Sequence, residues 1–293
     1  MMKQSPIVSR TRELLADHNL ALKKSLGQHF LVDERVLERI IDASELDVST
    51  GVLEIGPGMG ALTERLADRA GAVLAVEIDG RLIPILRELF ADRPHVTVVH
   101  GDALQVDLRE LMERHLGSAE RRSVVANLPY YATSPILMRL LEERLPLDRI
   151  VVMIQKEVAE RIMAEPGTKE YGSISVAVRY FAHVSWVCSV PRNCFVPRPQ
   201  VDSAVICLRI RREPPVSVRN EDLFFRAVRA GFAQRRKTLT NALSAAFFGG
   251  KRKEELGGLL REIGIDPNRR GETLTLEEFA RLADGLEQKL EKR

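Results

Sequence analysis

The sequence lacks the features that mark exported and membrane-spanning proteins. No run of apolar residues approaches the roughly 18 that a membrane-spanning helix needs. The first residues mix Arg10 and Arg12 with Glu13 and Asp17 and contain no apolar core, which argues against a signal peptide and against an acid-poor transit peptide. We therefore expect a cytoplasmic protein with no membrane partner.

Metal-binding and disulfide patterns are also missing. The three cysteines, Cys188, Cys194 and Cys207, are odd in number and lack the spacing of paired metal ligands, and the six histidines show no metal-site spacing. A reduced compartment and a protein without a bound metal are the expectations. The 293 residues, 45% of them apolar, can form a substantial core and two domains.

Acidic residues are absent from one long stretch of the chain. Between Leu223 and Lys253 there is no Asp or Glu, although the net charge of the whole chain is only +3. Eight basic residues lie there: Arg226, Arg229, Arg235, Arg236, Lys237, Lys251, Arg252 and Lys253. A merely solvated surface is one interpretation. We favour a polyanion-binding surface, because clustered Lys and Arg gain affinity by releasing condensed counterions from phosphates.

One glycine-rich segment organises the first half of the chain. The run Glu54-Ile55-Gly56-Pro57-Gly58-Met59-Gly60 follows a strand pattern and precedes a helical one, which is the order of a nucleotide-binding βαβ unit. Its glycines allow a tight turn and leave backbone N–H groups open to a ligand. Gly56-x-Gly58-x-x-Ala61 with Glu77 downstream also fits a dinucleotide fingerprint. The motif alone therefore indicates an adenosine-containing cofactor without identifying it.

Polar residues recur at the ends of four predicted parallel strands. Glu54, Glu77, Asp102 and Asn127 are separated by 23, 25 and 25 residues, a suitable length for one strand and one crossover helix. Ligands of open parallel sheets bind at the carboxyl ends of the strands. Singly, each residue could cap a helix or lie in a solvated loop, but together they indicate one shared crevice.

The segment before the sheet contains the heptapeptide Ser25-Leu26-Gly27-Gln28-His29-Phe30-Leu31. It is too apolar and glycine-bearing for a simple helix start, so it is either a loop over the cofactor crevice or a turn that joins two helices. Asp33 is then typical of the N-cap of an amphipathic helix.

The sheet pattern occupies roughly residues 50–155, and Val201 to Ile210 alternates like an antiparallel edge strand. The segment Arg211-Arg212-Glu213-Pro214-Pro215 is typical of a linker, because two prolines cannot continue a helix or a central strand. Helical patterns follow at 221–232, 234–247, 252–263 and 275–290.

We therefore predict two domains. An α/β domain covers residues 1–212, with 1–24 as an N-terminal extension, and a small all-helical domain that carries the basic stretch covers 213–293.

The tetrapeptide Asn127-Leu128-Pro129-Tyr130 is the most specific chemical signal. The exocyclic amine of adenine is a poor nucleophile, because its lone pair is delocalised into the ring. Hydrogen bonds from the amine to the Asn127 side-chain oxygen and the Leu128 carbonyl would favour a pyramidal nitrogen, with Pro129 fixing the backbone. Tyr130 would stack on a base taken out of its helix. A strand followed by a turn with Tyr130 simply buried is the alternative.

S-adenosylmethionine is the methyl donor that suits this arrangement. Glu77 would accept hydrogen bonds from the ribose hydroxyls, and Asp102 would accept one from the adenine amine of the cofactor. Gly56 and Gly58 would pack against its methionine and ribose portions. The sulfonium already activates the methyl group, so catalysis would consist mainly of positioning and electrostatics, without a metal.

Over essentially its whole length the chain resembles the KsgA-type ribosomal RNA adenine dimethyltransferases. The matching segments are Gly27–Leu31, Glu54–Gly58, Asn127–Tyr130, Gln155–Ala159, Tyr171-Gly172, Phe195-x-Pro197-x-Pro199-x-Val201 to Val205, Phe232-x-Gln234 to Thr238, and Gly264–Pro267 followed by Arg270, Glu272 and Leu274. The resemblance implies a Rossmann-like S-adenosylmethionine-dependent methyltransferase sheet with a small all-helical C-terminal domain. It also implies a monomer that transfers two methyl groups to each of two adjacent adenosines near the 3′ end of small-subunit ribosomal RNA, on a partly assembled subunit.

The resemblance implies roles for individual residues as well. The catalytic residues would be Asn127, Pro129, Tyr130 and Phe195, with Phe195 stacking on the target base opposite Tyr130. Packing in the core is the alternative for Phe195. The cofactor-binding residues would be His29, Leu31, Gly56, Gly58, Glu77, Asp102 and Asn127. RNA contacts would come from Arg235, Arg236 and Lys237. His29 is a departure, because many relatives have Asn there, and its imidazole adds a titratable group.

Three rival interpretations differ in class. A resistance-type methyltransferase acting on large-subunit RNA shares the cofactor motifs, but Val201-Asp202-Ser203 and the Gln234–Lys237 segment favour the small-subunit enzyme. An NAD-dependent dehydrogenase explains Gly56 to Glu77 but not Asn127 to Tyr130 or the basic stretch. A non-catalytic RNA-binding assembly factor with an old cofactor pocket is the third.

Overall fold

The computed structural model describes residues 28–291, together with Ile7, Ser9 and Glu13. The rest of the N-terminal extension and Ser25 to Gly27 of the heptapeptide lie outside the described residues. Two compact units emerge. The sheet unit runs to Ala159 and resumes at Val184–Ile210, and the helical unit consists of Glu160–His183 and the chain from Arg211 onward.

A seven-stranded sheet forms the centre of the sheet unit in this part of the chain. Its strands, in chain order, are β2 (Thr50–Ile55), β3 (Ala72–Glu77), β4 (Val96–His100), β5 (Arg121–Asn127), β6 (Arg149–Gln155), β7 (Ala182–Val190) and β9 (Ser203–Ile210). Their order across the sheet is β4-β3-β2-β5-β6-β9-β7. A separate antiparallel pair joins β1 (Phe30–Leu31) to β8 (Phe195–Val196).

The helix α1 (Glu34–Ser44) precedes β2, and a helix follows each of the parallel strands β2 to β6. These helices are α2 (Ala61–Ala67), α3 (Leu82–Leu89), α4 (Leu108–Leu116), α5 (Thr133–Glu142) and α6 (Lys156–Met163). Every residue of β2 is buried, as expected for a parallel strand covered by helices on both faces. The predicted N-cap is confirmed, because the Asp33 carboxylate accepts from the backbone N–H groups of Arg35 and Val36.

The strand order places the ligand crevice. β2 pairs in parallel with β3 on one side and with β5 on the other. The crossover connections therefore diverge at β2, and the carboxyl ends of these three strands face a common opening. Glu54, Glu77 and Asn127 lie at those three ends, so the predicted convergence of strand ends is confirmed for them.

The prediction for the last strand is half right. β9 is antiparallel to β6, with Val152 opposite Ile206, but it lies between β6 and β7 and is not the edge of the sheet. Sequence alternation missed this position because β9 is buried on both faces from Ser203 to Leu208. The edge strand is β7, which is largely exposed.

The helical unit contains α7 (Ser173–Phe181), α8 (Glu221–Ala233), α9 (Leu239–Phe248), α10 (Lys253–Glu262) and α11 (Leu276–Glu291). Three of the four predicted C-terminal helices match within about two residues. The second begins at Leu239 instead of 234, because Gln234 leaves the helical conformation and Thr238 caps a new helix by accepting from the Asn241 N–H. No helix in the described residues has the length and apolarity of a membrane span.

The segment Glu160–His183 belongs with the C-terminal helices, which the sequence did not indicate. The Tyr171 hydroxyl donates to the Leu274 carbonyl at 3.1 Å, and the Tyr180 hydroxyl donates to Glu221 at 3.0 Å. The Tyr180 ring also packs against three phenylalanine rings. The distances between ring centroids are 5.1 Å to Phe181, 5.1 Å to Phe224 and 5.2 Å to Phe225. These aromatic contacts join α7 to α8 in one core.

We expect Tyr171→Phe to lower the free energy of unfolding of the helical unit by about 1–3 kcal/mol, because the buried Leu274 carbonyl loses its donor. Tyr171 is 1% exposed, so water cannot replace the hydroxyl. Denaturant unfolding measures the change. Tyr131→Phe is the control, because that side chain is 55% exposed. Equal stability of the two variants would contradict the prediction.

Candidate active site

A cleft opens in the sheet unit at the carboxyl ends of β2, β3 and β5. It encloses about 900 Å³, counting the space open to solvent. Its walls come from the segment Gln28–Leu31, the glycine loop Gly56–Met59, the end of β3, and the segment Asn127 to Tyr131. Of the two interpretations of the heptapeptide, the position at the crevice is confirmed for Gln28–Leu31, although Phe30 and Leu31 form the strand β1 instead of a loop.

The structure brings most predicted cofactor and catalytic residues together around this cleft. Those lining it are His29, Leu31, Gly56, Gly58, Glu77, Asn127, Pro129 and Tyr130. Asp102 is not among the lining residues. It follows β4, one strand beyond β3, where its carboxylate accepts from the Leu104 N–H at 2.9 Å.

Asp102 nevertheless lies near the mouth of the cleft. Tyr131 lines the cleft, and burial raises the pKa of its phenol, with the negative charges of Asp102 and Glu77 adding to the increase. The predicted contact of Asp102 with the adenine amine of the cofactor stays a prediction.

Phe195 takes a different place from the one predicted. Its side chain is 3% exposed and belongs to a buried cluster with Leu31, Val190 and Val205, and its backbone pairs with Leu31 in the β1–β8 ladder. The ring therefore presents no open face to a base in this structure. Sequence matching could not separate a stacking phenylalanine from a core one, because both are apolar residues beside a site.

Arg235 differs from its two basic neighbours. In the helical unit its guanidinium donates to the carbonyls of Lys169 and Tyr171 and pairs with Glu272 at 3.3 Å. Arg236 and Lys237 are exposed and form no side-chain hydrogen bond or ion pair with described residues. Arg235 thus holds together two loops of its own unit, a role that its presence in a basic run concealed.

The glycine loop is fixed to the sheet by backbone hydrogen bonds. The Gly56 N–H donates to the Val76 carbonyl at 2.9 Å, and the Gly58 N–H donates to the Glu77 carboxylate at 3.1 Å. Gly58 has φ +58°, and a Cβ there would lie 2.9 Å from the Phe30 ring. At Gly56, with φ +71°, a Cβ would meet only the Asn127 carbonyl at 4.0 Å, so its face toward the cleft is open. The loop therefore leaves space for a ligand.

Two acidic side chains at the cleft are buried. Glu77 accepts from the backbone N–H groups of Gly58 and Asp79, and burial raises its pKa above the ordinary value. Asp79 is held by Arg81 and by the Gln28 amide at 3.0 Å, and the Arg81 guanidinium lowers the pKa of this carboxyl. The Gln28–Asp79 hydrogen bond joins the segment before β1 to the turn after β3.

Glu54 is the third acid and lacks a partner for one oxygen. It is 1% exposed and lines the cleft, and its Oε2 atom has no hydrogen-bond partner among the described residues. Burial raises the pKa of Glu54 to about 8, and the charge of Glu77 adds to the increase. A buried acid without a partner is costly, and such groups are frequent at functional sites.

The Asn127 side chain is oriented by one hydrogen bond. Its Nδ2 donates to the His29 carbonyl at 3.1 Å. This contact fixes which end of the amide carries the oxygen, because the carbonyl can only accept. The Oδ1 atom and the Leu128 carbonyl accept no hydrogen bond from the residues that the structure describes. Two acceptors are therefore available where the sequence predicts a target amine.

Tyr130 is held at its hydroxyl and on one ring face. The hydroxyl lies 2.8 Å from the Ser203 hydroxyl, and the ring stacks on the His29 imidazole with 5.7 Å between centroids. Sequence reasoning did not identify Phe30, Met59 or Tyr131 as lining residues. Only their position in the sequence could have indicated them, because each is adjacent to a residue that was identified.

The chain was compared with known protein families, curated proteins and solved structures. The family described as ribosomal RNA adenine dimethylase matches residues 19–287. The chain belongs to this family. Its members are S-adenosylmethionine-dependent methyltransferases, so the predicted cofactor and enzyme class are confirmed.

Relatives of this dimethylase family match nearly the whole chain. A ribosomal RNA small subunit methyltransferase A from Geobacillus kaustophilus is 51% identical over 98% of each chain. The crystal structure of a dimethyladenosine transferase from Plasmodium falciparum superposes with a TM-score of 0.73 at 28% identity, over 90% of this chain and 98% of the other. The predicted fold class is confirmed by this likeness.

A large-subunit enzyme has the same fold. The 23S rRNA methyltransferase ErmE superposes with a TM-score of 0.65 at 29% identity, over 88% of this chain and 100% of that chain. The fold of this family therefore does not distinguish the two ribosomal subunits, whereas the 51% identity favours the small-subunit relatives.

We expect Gly58→Ala to weaken binding of S-adenosylhomocysteine by about tenfold or more. The new Cβ must displace the Phe30 ring at the cleft wall, and the alanine must adopt a left-handed backbone conformation. Calorimetry measures the affinity. Gly249→Ala is a matched control: its φ of +60° imposes the same backbone strain, but nothing lies within 4 Å of the added Cβ. Similar affinities of the two variants would contradict the prediction.

Proposed function

We propose that this protein dimethylates the N6 amines of two adjacent adenosines near the 3′ end of small-subunit ribosomal RNA, with S-adenosylmethionine as methyl donor. The observation that carries the proposal is the orientation of Asn127, whose Oδ1 is left as an acceptor at the cleft. Family membership and the printed name of the Geobacillus relative support the choice of RNA.

The cleft residues fit the cofactor. The open face of Gly56 leaves space that a Cβ would fill, and the Oε2 atom of Glu54, which has no hydrogen-bond partner among the described residues, suits the ammonium group of the methionine portion. Glu77 would accept from the ribose hydroxyls with the lone pairs that Gly58 and Asp79 leave free. When bound, the cofactor supplies an electrophilic methyl group on a sulfonium.

Asn127 and Leu128 act on the nucleophile. The Oδ1 of Asn127 and the carbonyl of Leu128 accept the two N–H groups of the target amine, which directs its lone pair away from the ring system. Leu128 is itself fixed, because its N–H donates to the Met153 carbonyl at 3.1 Å. Tyr130 supplies the stacking face for the extruded base. An amide suits this role because Asn127 stays neutral while its oxygen accepts.

The helical unit supplies affinity for RNA. Arg236 and Lys237 are exposed beside a chain segment that contains no acidic residue, so they are suited to bind phosphates. We also propose that the protein is a cytoplasmic monomer and acts on the assembling small subunit. Its three free cysteines fit a reducing compartment.

Methyl transfer from radiolabelled S-adenosylmethionine tests the proposal. Small subunits that lack the modification and large subunits are assayed side by side, and the labelled nucleotide is identified after digestion. Dimethyladenosine in small-subunit RNA alone is the expected result. Label in large-subunit RNA alone would move the protein to the ErmE type of reaction. Cofactor binding without label in either RNA would favour a non-catalytic assembly factor.

We expect Asn127→Ala to lower kcat for methyl transfer by about 100-fold or more, because one of two preorganised contacts to the amine is lost. Binding of small subunits should stay near normal. Arg236→Ala should have the reverse effect. Its binding to small subunits should weaken and depend less on salt, while methyl transfer at saturating substrate persists. Undiminished transfer by Asn127→Ala would refute the role of Asn127.

We expect binding of S-adenosylhomocysteine to release a proton near pH 7. Free Glu54, with its pKa raised to about 8, is protonated there, and the ligand ammonium would lower that pKa. The affinity should therefore rise between about pH 6 and pH 8. Calorimetry in buffers of different ionisation enthalpy measures the proton count, and Glu54→Gln should release none. Equal release by both proteins would assign the proton to another group.

A further inference from the structure

His29 contacts two residues of the proposed catalytic segment, Asn127 and Tyr130. Its backbone carbonyl accepts from Asn127 Nδ2 at 3.1 Å, and its imidazole stacks on the Tyr130 ring at 5.7 Å with 27° between the planes. The separation lies within the range of offset aromatic stacking. One residue thus contacts the group that orients the target amine and the ring that stacks on the target base.

The imidazole is itself fixed from the opposite side of the cleft wall. Its Nδ1 lies 2.8 Å from the Pro197 carbonyl, and because that carbonyl can only accept, Nδ1 carries the hydrogen. The neighbouring residues extend the connection, since Phe30 pairs with Val196 and Leu31 with Phe195. The contact of His29 with Pro197 therefore extends the β1–β8 pairing by one residue on each strand.

The hydroxyl of Tyr130 has a second contact at the far end of the ring. The Ser203 hydroxyl, which is fully buried, lies 2.8 Å from the phenol oxygen. A hydrogen bond at that oxygen does not by itself fix rotation of the ring about its long axis. A planar group against one face removes that rotation. Side chains that position a reacting group need such packing to hold their geometry.

We propose that His29 is a positioning residue whose imidazole sets the plane of Tyr130, so that the target adenine stacks on the Tyr130 face opposite His29. This inference rests on the proposed function for its catalytic consequence. It differs from the cofactor contact that the family resemblance implies for His29. In a positioning role the imidazole acts on Tyr130, and loss of the ring leaves cofactor affinity intact.

Three variants separate the two parts of the imidazole. His29→Ala removes the stack and the Pro197 bond, His29→Phe keeps a ring over Tyr130, and His29→Gln keeps a donor without a ring. We expect His29→Ala to lower kcat by roughly ten- to hundredfold, with the Kd of S-adenosylhomocysteine and the KM for small subunits changed by less than about twofold. His29→Phe should recover kcat to within about threefold of wild type, and His29→Gln should not.

A spectroscopic readout tests the contact without methyl transfer. The chain has four tyrosines, so ring-labelled tyrosine gives four NMR signals, and Tyr130→Phe assigns the one of interest. His29→Ala should move that signal and leave the other three in place, which also shows that the variant is folded. His29→Phe should leave a ring-current shift on the same signal.

The outcomes of these experiments distinguish failure of the positioning role of His29 from failure of the proposed methyl transfer. A Kd for S-adenosylhomocysteine that weakens as much as kcat falls would overturn the inference in favour of a cofactor contact. So would an unmoved Tyr130 signal or an unchanged kcat in His29→Ala. Wild-type protein that transfers no methyl group to any ribosomal RNA would refute the proposed function, while the Tyr130 signal and the Kd would still decide the positioning role.

Discussion

The parallel pairing of β2 with both β3 and β5 is the constraint on which the cleft depends. At this strand the crossovers diverge, so three carboxyl ends open on one side without a helix covering them. The backbone hydrogen bond of Gly56 to Val76 continues the pairing beyond the strands, and the Glu77 side chain accepts from the Gly58 N–H. The sheet therefore sets the register of the glycine loop as well as the position of Asn127. A ligand contacts backbone that is already ordered before it arrives.

The same arrangement buries two carboxyl groups at the strand ends, where the lack of water disfavours their charged form. Glu54 and Glu77 lie at adjacent strand ends, both are nearly inaccessible to water, and the pKa of each is raised. A buried acid destabilises the folded chain at a pH above its ordinary pKa, because the folded state then holds a proton that the unfolded state has released. Burial of these acids at the cleft therefore lowers the stability of the folded chain at neutral pH. A cationic ligand recovers part of that free energy by favouring the charged form of Glu54.

The sequence predicted the elements that depend on local pattern. The glycine turn, the strand ends at Glu54, Glu77 and Asn127, the Asp33 cap and three of the C-terminal helices follow from spacing and from residue chemistry within one segment. The position of β9 inside the sheet, the burial of Phe195 and the inward contacts of Arg235 depend on which distant segments meet. Periodicity cannot supply that information. His29 lies between these cases: its presence at the cleft was predictable, but its stacking on Tyr130 required the β1–β8 pairing, which no local pattern indicates.

The assignment of Glu160–His183 to the helical unit limits how this architecture can change during evolution. The chain passes between the two units three times, after Ala159, after His183 and after Ile210. A single truncation near residue 212 would remove α8 and leave Tyr180 and Phe181 attached to the sheet unit with their apolar partners gone. Exchange of the helical unit by one recombination event would produce the same defect. A lineage that acquires a new RNA-binding unit on this sheet must therefore replace two separate segments together or reshape the existing helices residue by residue.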